Sequence, residues 1–196
     1  MEHLPDGDLV TAYLDHGDER AFRLLVERHQ DRIYGFLMGM VRDREVANDL
    51  FQETFLRAIA AMQKRRGSYE KQGRWLGWVM RIARNAALDH LRARKKWQDV
   101  DSGDEEGTSF FERLPDEGPD VTVSLDLSER IEEMRAAIED LPPEQREVVL
   151  LRHESELTFR EIAEITDVSI NTALGRMRYA LINLRKILIP DAARNS

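Results

Sequence analysis

The 196-residue sequence has no cysteine. Disulfide staples and thiolate zinc sites are therefore excluded, and a reducing compartment is allowed. No apolar run approaches the roughly 20 residues that cross a bilayer, so membrane insertion is not expected. The opening stretch MEHLPDGDLV lacks both a basic region and an apolar core and does not read as a signal peptide; the expected location is cytoplasmic. Catalytic signatures are missing too: there is no P-loop, no GxSxG elbow and no Gly-rich dinucleotide turn. The histidines His3, His16, His29, His90 and His153 are scattered, and none has a metal-ligand partner at helical spacing beyond single carboxylates. His29, on an apolar stripe, reads as a satisfied core residue. No metal, cofactor or enzyme chemistry is expected. No segment alternates convincingly as a strand, which leaves an all-α chain.

What is present is helical periodicity. Apolar residues make up 42% and charged residues 34%, a balance that favours two compact units over one large core. Leu9, Tyr13 and Leu14 mark a short first helix. From Asp18 to Val41 a single stripe runs through Phe22, Leu25, Val26, His29, Ile33, Phe36, Leu37 and Met40. A second long helix follows Asp43, with Val46, Leu50, Phe51, Thr54, Phe55, Ala58 and Ile59 on one face. A third spans about Arg74 to Lys96. Between these two, QKRRGSYEKQG reads as an exposed loop. The stretch from Gln98 to about Leu125 is acidic and rich in Gly, Pro and Ser, with little periodicity, and reads as a flexible linker. Helices resume near Asp126, and Pro142-Pro143 opens another. Thr158 and Glu161 form the capping-box pattern. The expected architecture is two helical domains, residues 1–97 and 126–196, joined by the acidic linker 98–125.

The net charge of −8 conceals a segregation. Between Arg57 and Trp97 stand twelve cations and two acids; between Gln98 and Glu133 stand two cations and thirteen acids. From Ile170 to Ile189 there are four cations and no acid. Local rather than net charge governs contact with phosphates, so two basic surfaces flank one acidic connector. A dense charge run can also be no more than a solvated face. Interleaving with Trp75, Trp78 and Trp97 favours nucleic acid here.

The segment TFREIAEITDVSINTALGRMRYALINLRK reads as a helix-turn-helix. Phe159, Ile162, Ala163 and Ile165 face inward, Thr166-Asp167-Val168 makes the turn, and the Ser169 hydroxyl caps the second helix. Ile170, Ala173, Met177, Leu181 and Leu184 are expected to point into the core. The opposite face then carries Asn171, Thr172, Gly175, Arg178 and Tyr179, the short polar groups and arginine that a groove-reading helix needs. A generic helical hairpin shares the periodicity.

This segment, extended to LPPEQREVVLLRHESELTFREIAEITDVSINTALGRMRYALINLRK, resembles the fourth conserved region of bacterial RNA polymerase sigma factors. DLFQETFLRAI and RWLGWVMRIARNAALDHLRARKK resemble the second conserved region. Two such regions and a short linker are the pattern of the extracytoplasmic-function (ECF) group, and the resemblance covers about three quarters of the chain. It implies core RNA polymerase and promoter DNA as partners. Many members of the group also have an anti-sigma factor, which in this chain would cover the polymerase-binding surfaces.

Carried over residue by residue, the resemblance assigns polymerase binding to Asp49, Leu50, Gln52, Glu53, Phe55 and Leu56. Asp49, Gln52, Glu53 and Leu56 share a helical face, while Leu50, Phe55 and Leu56 can instead be core, Phe55 above all. Recognition and melting of the −10 element fall to Arg65, Arg66, Tyr69, Lys71 and Arg74 in the loop. Trp78, Arg81, Arg84, Asn85, Asp89 and Arg92 follow on the helix, where cations track the strand and aromatic or amide groups hold an extruded base. Trp75 is expected in the core, Trp78 can be core or platform, and Asn85 and Asp89 are spaced to pair. Recognition of the −35 element falls to Ser169, Asn171, Thr172, Leu174, Gly175, Arg176, Arg178 and Tyr179. Here the chain departs from its family, where many members carry Lys or Arg then Ser in place of Leu174-Gly175 and Gly in place of Asn171 and Asp167. Asp tolerates the left-handed turn, and Gly175 permits close backbone approach to DNA. Rival readings are a plain helix-turn-helix regulator, a sigma mimic that sequesters an inhibitor, and an enzyme. The second-region motifs, the retained cations and the missing catalytic motifs weigh against them in turn.

Overall fold

A computed structural model describes residues 3–64, 74–101 and 127–189, with side chains to Lys96 and again from Glu129. Eight α-helices and no strand occur among them: α1 (Asp6–His16), α2 (Glu19–Val41), α3 (Arg44–Lys64), α4 (Trp75–Asp101), α5 (Leu127–Glu139), α6 (Pro143–His153), α7 (Phe159–Thr166) and α8 (Ile170–Leu188). Residues 102–125 of the expected linker, and the Gln63–Gly73 loop from Arg65 onward, lie outside the described residues. The helix expected to end at Lys96 runs on to Asp101, past the boundary at residue 97.

Local chemistry sets most helix ends. Asp18 accepts bonds from the backbone N–H groups of Arg20 and Ala21, and Asp43 does the same for Glu45 and Val46 at the start of α3. Pro143 sits in the first turn of α6, where its missing N–H leaves no bond unmade. Thr158 and Glu161 complete a reciprocal capping box at α7. Asp167 ends α7 at φ 57°, the left-handed geometry expected of the turn.

Helices α1–α4 pack into one bundle, with α2 in contact with α1, α3 and α4. Leu9, Leu25, Ile33, Phe36, Met62, Trp75, Val79 and Met80 form its interior. Helices α5–α8 form a second bundle around Leu141, Val148, Leu151, Leu157, Ile162, Ala173 and Ala180. The two bundles touch: α6 lies on α2, and α7 on α4. Gly39 makes this approach possible, because a Cβ there would stand 2.5 Å from Leu150 Cδ2.

Candidate nucleic-acid interface

The start of α8 is built around Ser169. Its Oγ accepts the Thr172 N–H at 3.0 Å and lies 2.9 Å from the Thr172 hydroxyl. The inner stripe is Ala173, Met177, Ala180 and Leu184, all buried. Two residues expected in that stripe are not in it: Ile170 is 42% exposed and Leu181 is 54% exposed. Ala180 takes the inner position instead, and its small side chain lets α8 lie close to α6 and α7. The face turned to solvent carries Ser169, Asn171, Thr172, Leu174, Arg178 and Tyr179, with Gly175 and Arg176 half-buried beside them. No acid lies in the first turn, so the positive end of the helix dipole is uncompensated. A shallow groove along the helix is lined by Leu174, Met177, Arg178, Leu181, Ile182 and Arg185. Nothing approaches within 4 Å of where a Gly175 Cβ would sit. The protein's own packing therefore does not demand glycine there.

On α3, Asp49, Gln52 and Leu56 are exposed and Glu53 half-buried, so the shared face predicted from spacing is open to a partner. Leu56 is 68% exposed and apolar, while Glu53 is tied to Arg57 at 2.6 Å. Leu50 and Phe55 belong to the core. Phe55 packs 4.9 Å from Phe51 and 6.3 Å from Trp75 between ring centroids, which fixes α3 against α4. Trp75 is fully buried, as expected, and packs against His29 with ring centroids 5.4 Å apart and the rings tilted by 37°.

His29 is buried, and its Nε2 lies 2.7 Å from an Asp6 carboxylate oxygen, linking α1 to α2. Its Nδ1 has no partner, so the residue is core but not fully satisfied. Burial lowers its pKa below the usual value; Asp6 opposes that shift, and Arg32 and Arg28 add to it.

On α4 the candidates divide. Trp78 is half-buried and Asn85 exposed. Asp89 lies 3.6 Å from Arg92 rather than pairing with Asn85. Arg65, Arg66, Tyr69 and Lys71 lie outside the described residues. The remaining three arginines are not free, contrary to the expectation of an open basic surface. Arg84 donates to both carboxylate oxygens of Glu147 on α6, at 2.6 and 3.4 Å, with both side chains largely buried. Arg81 donates to the backbone carbonyl of Glu164, in the last turn of α7. Arg74 lies 3.6 Å from Glu161.

Further arginines cross the same boundary. Arg32 pairs with Glu156, Arg42 reaches Glu139, and Arg146 donates to the Met40 carbonyl at 3.1 Å. Sequence reasoning missed this set. The available signal was Glu147 itself, an acid four residues before Leu151 on the inward side of EQREVVLLRHE. A charge at such a position requires a buried partner.

Residues 25–97 match the family Sigma-70 region 2, and residues 131–179 match Sigma-70, region 4. The chain is 30% identical over 177 residues to the ECF RNA polymerase sigma factor SigW of Bacillus subtilis, covering 88% of this chain and 91% of that one. It is 33% identical over 172 residues to the RNA polymerase sigma factor CarQ of Myxococcus xanthus, with the same coverage of 88% and 91%. The fold is similar to that of the sigma factor RpoE of Bartonella quintana, solved with its anti-sigma factor NepR. That match has a TM-score of 0.64 and 23% identity, and covers 87% of this chain and 98% of that one.

Proposed function

Because the chain belongs to the ECF group of sigma-70 family sigma factors, which direct RNA polymerase to promoters, we propose how its residues divide that task. Residues 1–97 hold the polymerase and the −10 strand; residues 126–196 read the −35 element. The observation that carries this reading is the solvent face of α8 from Ser169 to Tyr179, where short polar groups and Arg178 stand clear of the core.

Asn171, Thr172 and Arg178 are placed to reach base edges and phosphates in a major groove. Leu174 meets a thymine methyl, and Gly175 lets the helix backbone come close. On α3, Asp49, Gln52, Glu53 and Leu56 contact core polymerase, with Leu50 and Phe55 stiffening the helix behind them. On α4, Arg74, Arg81, Arg84 and Arg92 track the phosphates of the melted strand, while Trp78 and Asn85 hold a base. The work is binding: the free energy of holding the unstacked strand offsets the melting cost. An anti-sigma factor is a further partner, supported by the similar fold solved with one.

The test is in vitro transcription with core polymerase from the same host and a sheared genomic library, with transcript starts sequenced. Starts that share two spaced upstream motifs, and vanish without the protein, are expected. Core binding without starts would point to a mimic, and neither would point to a plain DNA-binding regulator. Arg178→Ala should weaken −35 recognition while leaving core binding intact. Equal loss of both would mean misfolding instead.

A further inference from the structure

The fold leaves two large apolar side chains open at the start of α8. Ile170 holds the first helical position and is 42% exposed; Leu174, four residues on, is 44% exposed. Residues four apart share one edge of a helix. This edge flanks the buried seam of Ala173 and Met177 instead of joining it. Arg178 stands four residues beyond Leu174 on the same edge, and both line the groove that runs along the helix to Arg185.

The edge lies where a groove-reading helix meets base edges, in its first turns. Four cations and no acid stand between Ile170 and Ile189, and the first turn has no carboxylate to oppose the helix dipole. That balance suits a polyanion. Hydrogen-bond readout is nevertheless restricted here. The Ser169 hydroxyl is engaged by the Thr172 hydroxyl and the Thr172 N–H. Asn171 remains as an exposed amide. At position 174, a lysine or arginine would pair with guanine N7 and O6, whereas leucine leaves both acceptors unmatched. Thymine is the base that presents an apolar group in the major groove, its C5 methyl. Four residues of helix rise about 6 Å, and one base step rises roughly 3.4 Å. Ile170 and Leu174 can therefore meet methyl groups up to two steps apart.

We propose that Ile170 and Leu174 form an apolar edge that reads the C5 methyl groups of two neighbouring thymines, so that the upstream element of this chain carries thymine where a lysine or arginine at position 174 would select guanine. The proposal rests on the −35 reading above and deepens it. It adds a base preference and a second apolar reader, Ile170, which periodicity had placed in the core. Arg178, on the same edge, holds the adjoining phosphate and fixes the register of the two contacts.

Deoxyuridine differs from thymidine at the base only by the missing methyl, and it tests this directly. Promoter duplexes recovered from the transcription assay are remade with deoxyuridine at each upstream thymine in turn. Binding by holoenzyme is followed by fluorescence anisotropy. Removal of a methyl that is read should weaken binding about four-fold, at two positions no more than two steps apart. Leu174→Ala should remove the effect at one of them and Ile170→Ala at the other, with core polymerase binding unchanged in both. No sensitive thymine, or the same sensitivity in the unsubstituted and alanine proteins, would overturn the proposal. Weaker promoter binding by Leu174→Ala with every methyl effect intact would also overturn it, and would assign the edge to an acidic protein partner. Absence of any shared upstream motif among the promoters would refute the −35 reading itself, and the proposal with it.

Discussion

Gly175→Ala separates folding from recognition on a single helix. Glycine in a helix interior costs about 1 kcal/mol relative to alanine. Position 175 is the sixth of nineteen residues in α8. An added Cβ meets nothing within 4 Å, so no steric penalty offsets the gain in the free protein. The expected stabilisation is thus close to the full ~1 kcal/mol. For a domain of 60–100 residues melting alone, that is an increase of about 4–8 °C in Tm; for 150–250 residues melting as one unit it is about 2–4 °C. Circular dichroism at 222 nm measures the shift, and its size also reports whether the two bundles unfold together. The same methyl group projects from the face assigned to DNA. Fluorescence anisotropy with holoenzyme and promoter duplex should therefore show weaker −35 binding despite the higher stability. A lower Tm would refute the packing argument. A higher Tm with unchanged promoter affinity would refute the idea that glycine is there for close approach to DNA.

Three other outcomes follow from particular residues. Leu56→Ala should change stability by less than ~0.5 kcal/mol, since the side chain is exposed. Burial of a leucine is worth about 1.5–3 kcal/mol, so affinity for core polymerase should drop roughly ten- to hundred-fold, as a pull-down titration would reveal. Gly39→Ala should behave opposite to Gly175→Ala in the intact chain, because the new Cβ falls 2.5 Å from Leu150 Cδ2; small-angle scattering should report a larger radius of gyration, and an unchanged one would count against the clash. His29 has its folded pKa pushed below the usual value, chiefly by burial. The unfolded chain then binds more protons between that lowered value and about 6.5, so stability should fall as pH drops below about 6.5 and level off beneath the folded pKa. Urea titrations of the wild type and His29→Gln across this range should differ in slope; equal slopes would exclude His29 as the source.

The elements legible in the sequence were those where local chemistry and periodicity agree. The capping box at Thr158, the proline entry at α6, the Asp167 turn and the Ser169 cap are each determined within a few residues. Trp75 was legible as core because it opens an apolar stripe. The inner stripe of α8 was read correctly at Ala173, Met177 and Leu184 but misassigned at Ile170 and Leu181, because periodicity favours large apolar residues, whereas the packed face uses Ala180. Close helix contact favours small side chains, and a search for bulk misses them. The interdomain arginine contacts left one trace in the sequence, the inward-facing Glu147, and nothing that named its partner. Arg84 and Glu147 are 63 positions apart, and no local pattern specifies such a pairing. The charge count therefore read the Arg57–Trp97 region as a free basic surface.

The acidity of the chain consequently has a place as well as a sum. The central Arg84–Glu147 pair is buried and weakly screened, whereas Arg74, 71% exposed, loses most of its attraction to Glu161 as salt rises. Salt also weakens DNA binding, so ionic strength alone does not exchange one partner for the other. Opening, the separation of the two bundles, needs a ligand with different affinities for the packed and separated forms, because a ligand that binds both equally shifts nothing. Asp49, Gln52 and Leu56, on the outer face of α3, are exposed while the two bundles are in contact, so docking of polymerase at the proposed face does not require the contact to break. The drive must come from groups that meet α4, α6 or α7 where they now meet each other, whether the melted strand or a polymerase surface that claims the −35 domain. Docking through α3 therefore precedes opening. In stopped-flow measurements with one dye on each domain, polymerase should bind in a concentration-dependent first step without a change in interdomain transfer. The loss of transfer should follow in a slower step whose rate is independent of polymerase concentration. Loss of transfer in the first step would mean that the α3 face senses the closed contact, and that docking and opening are one event rather than two in succession.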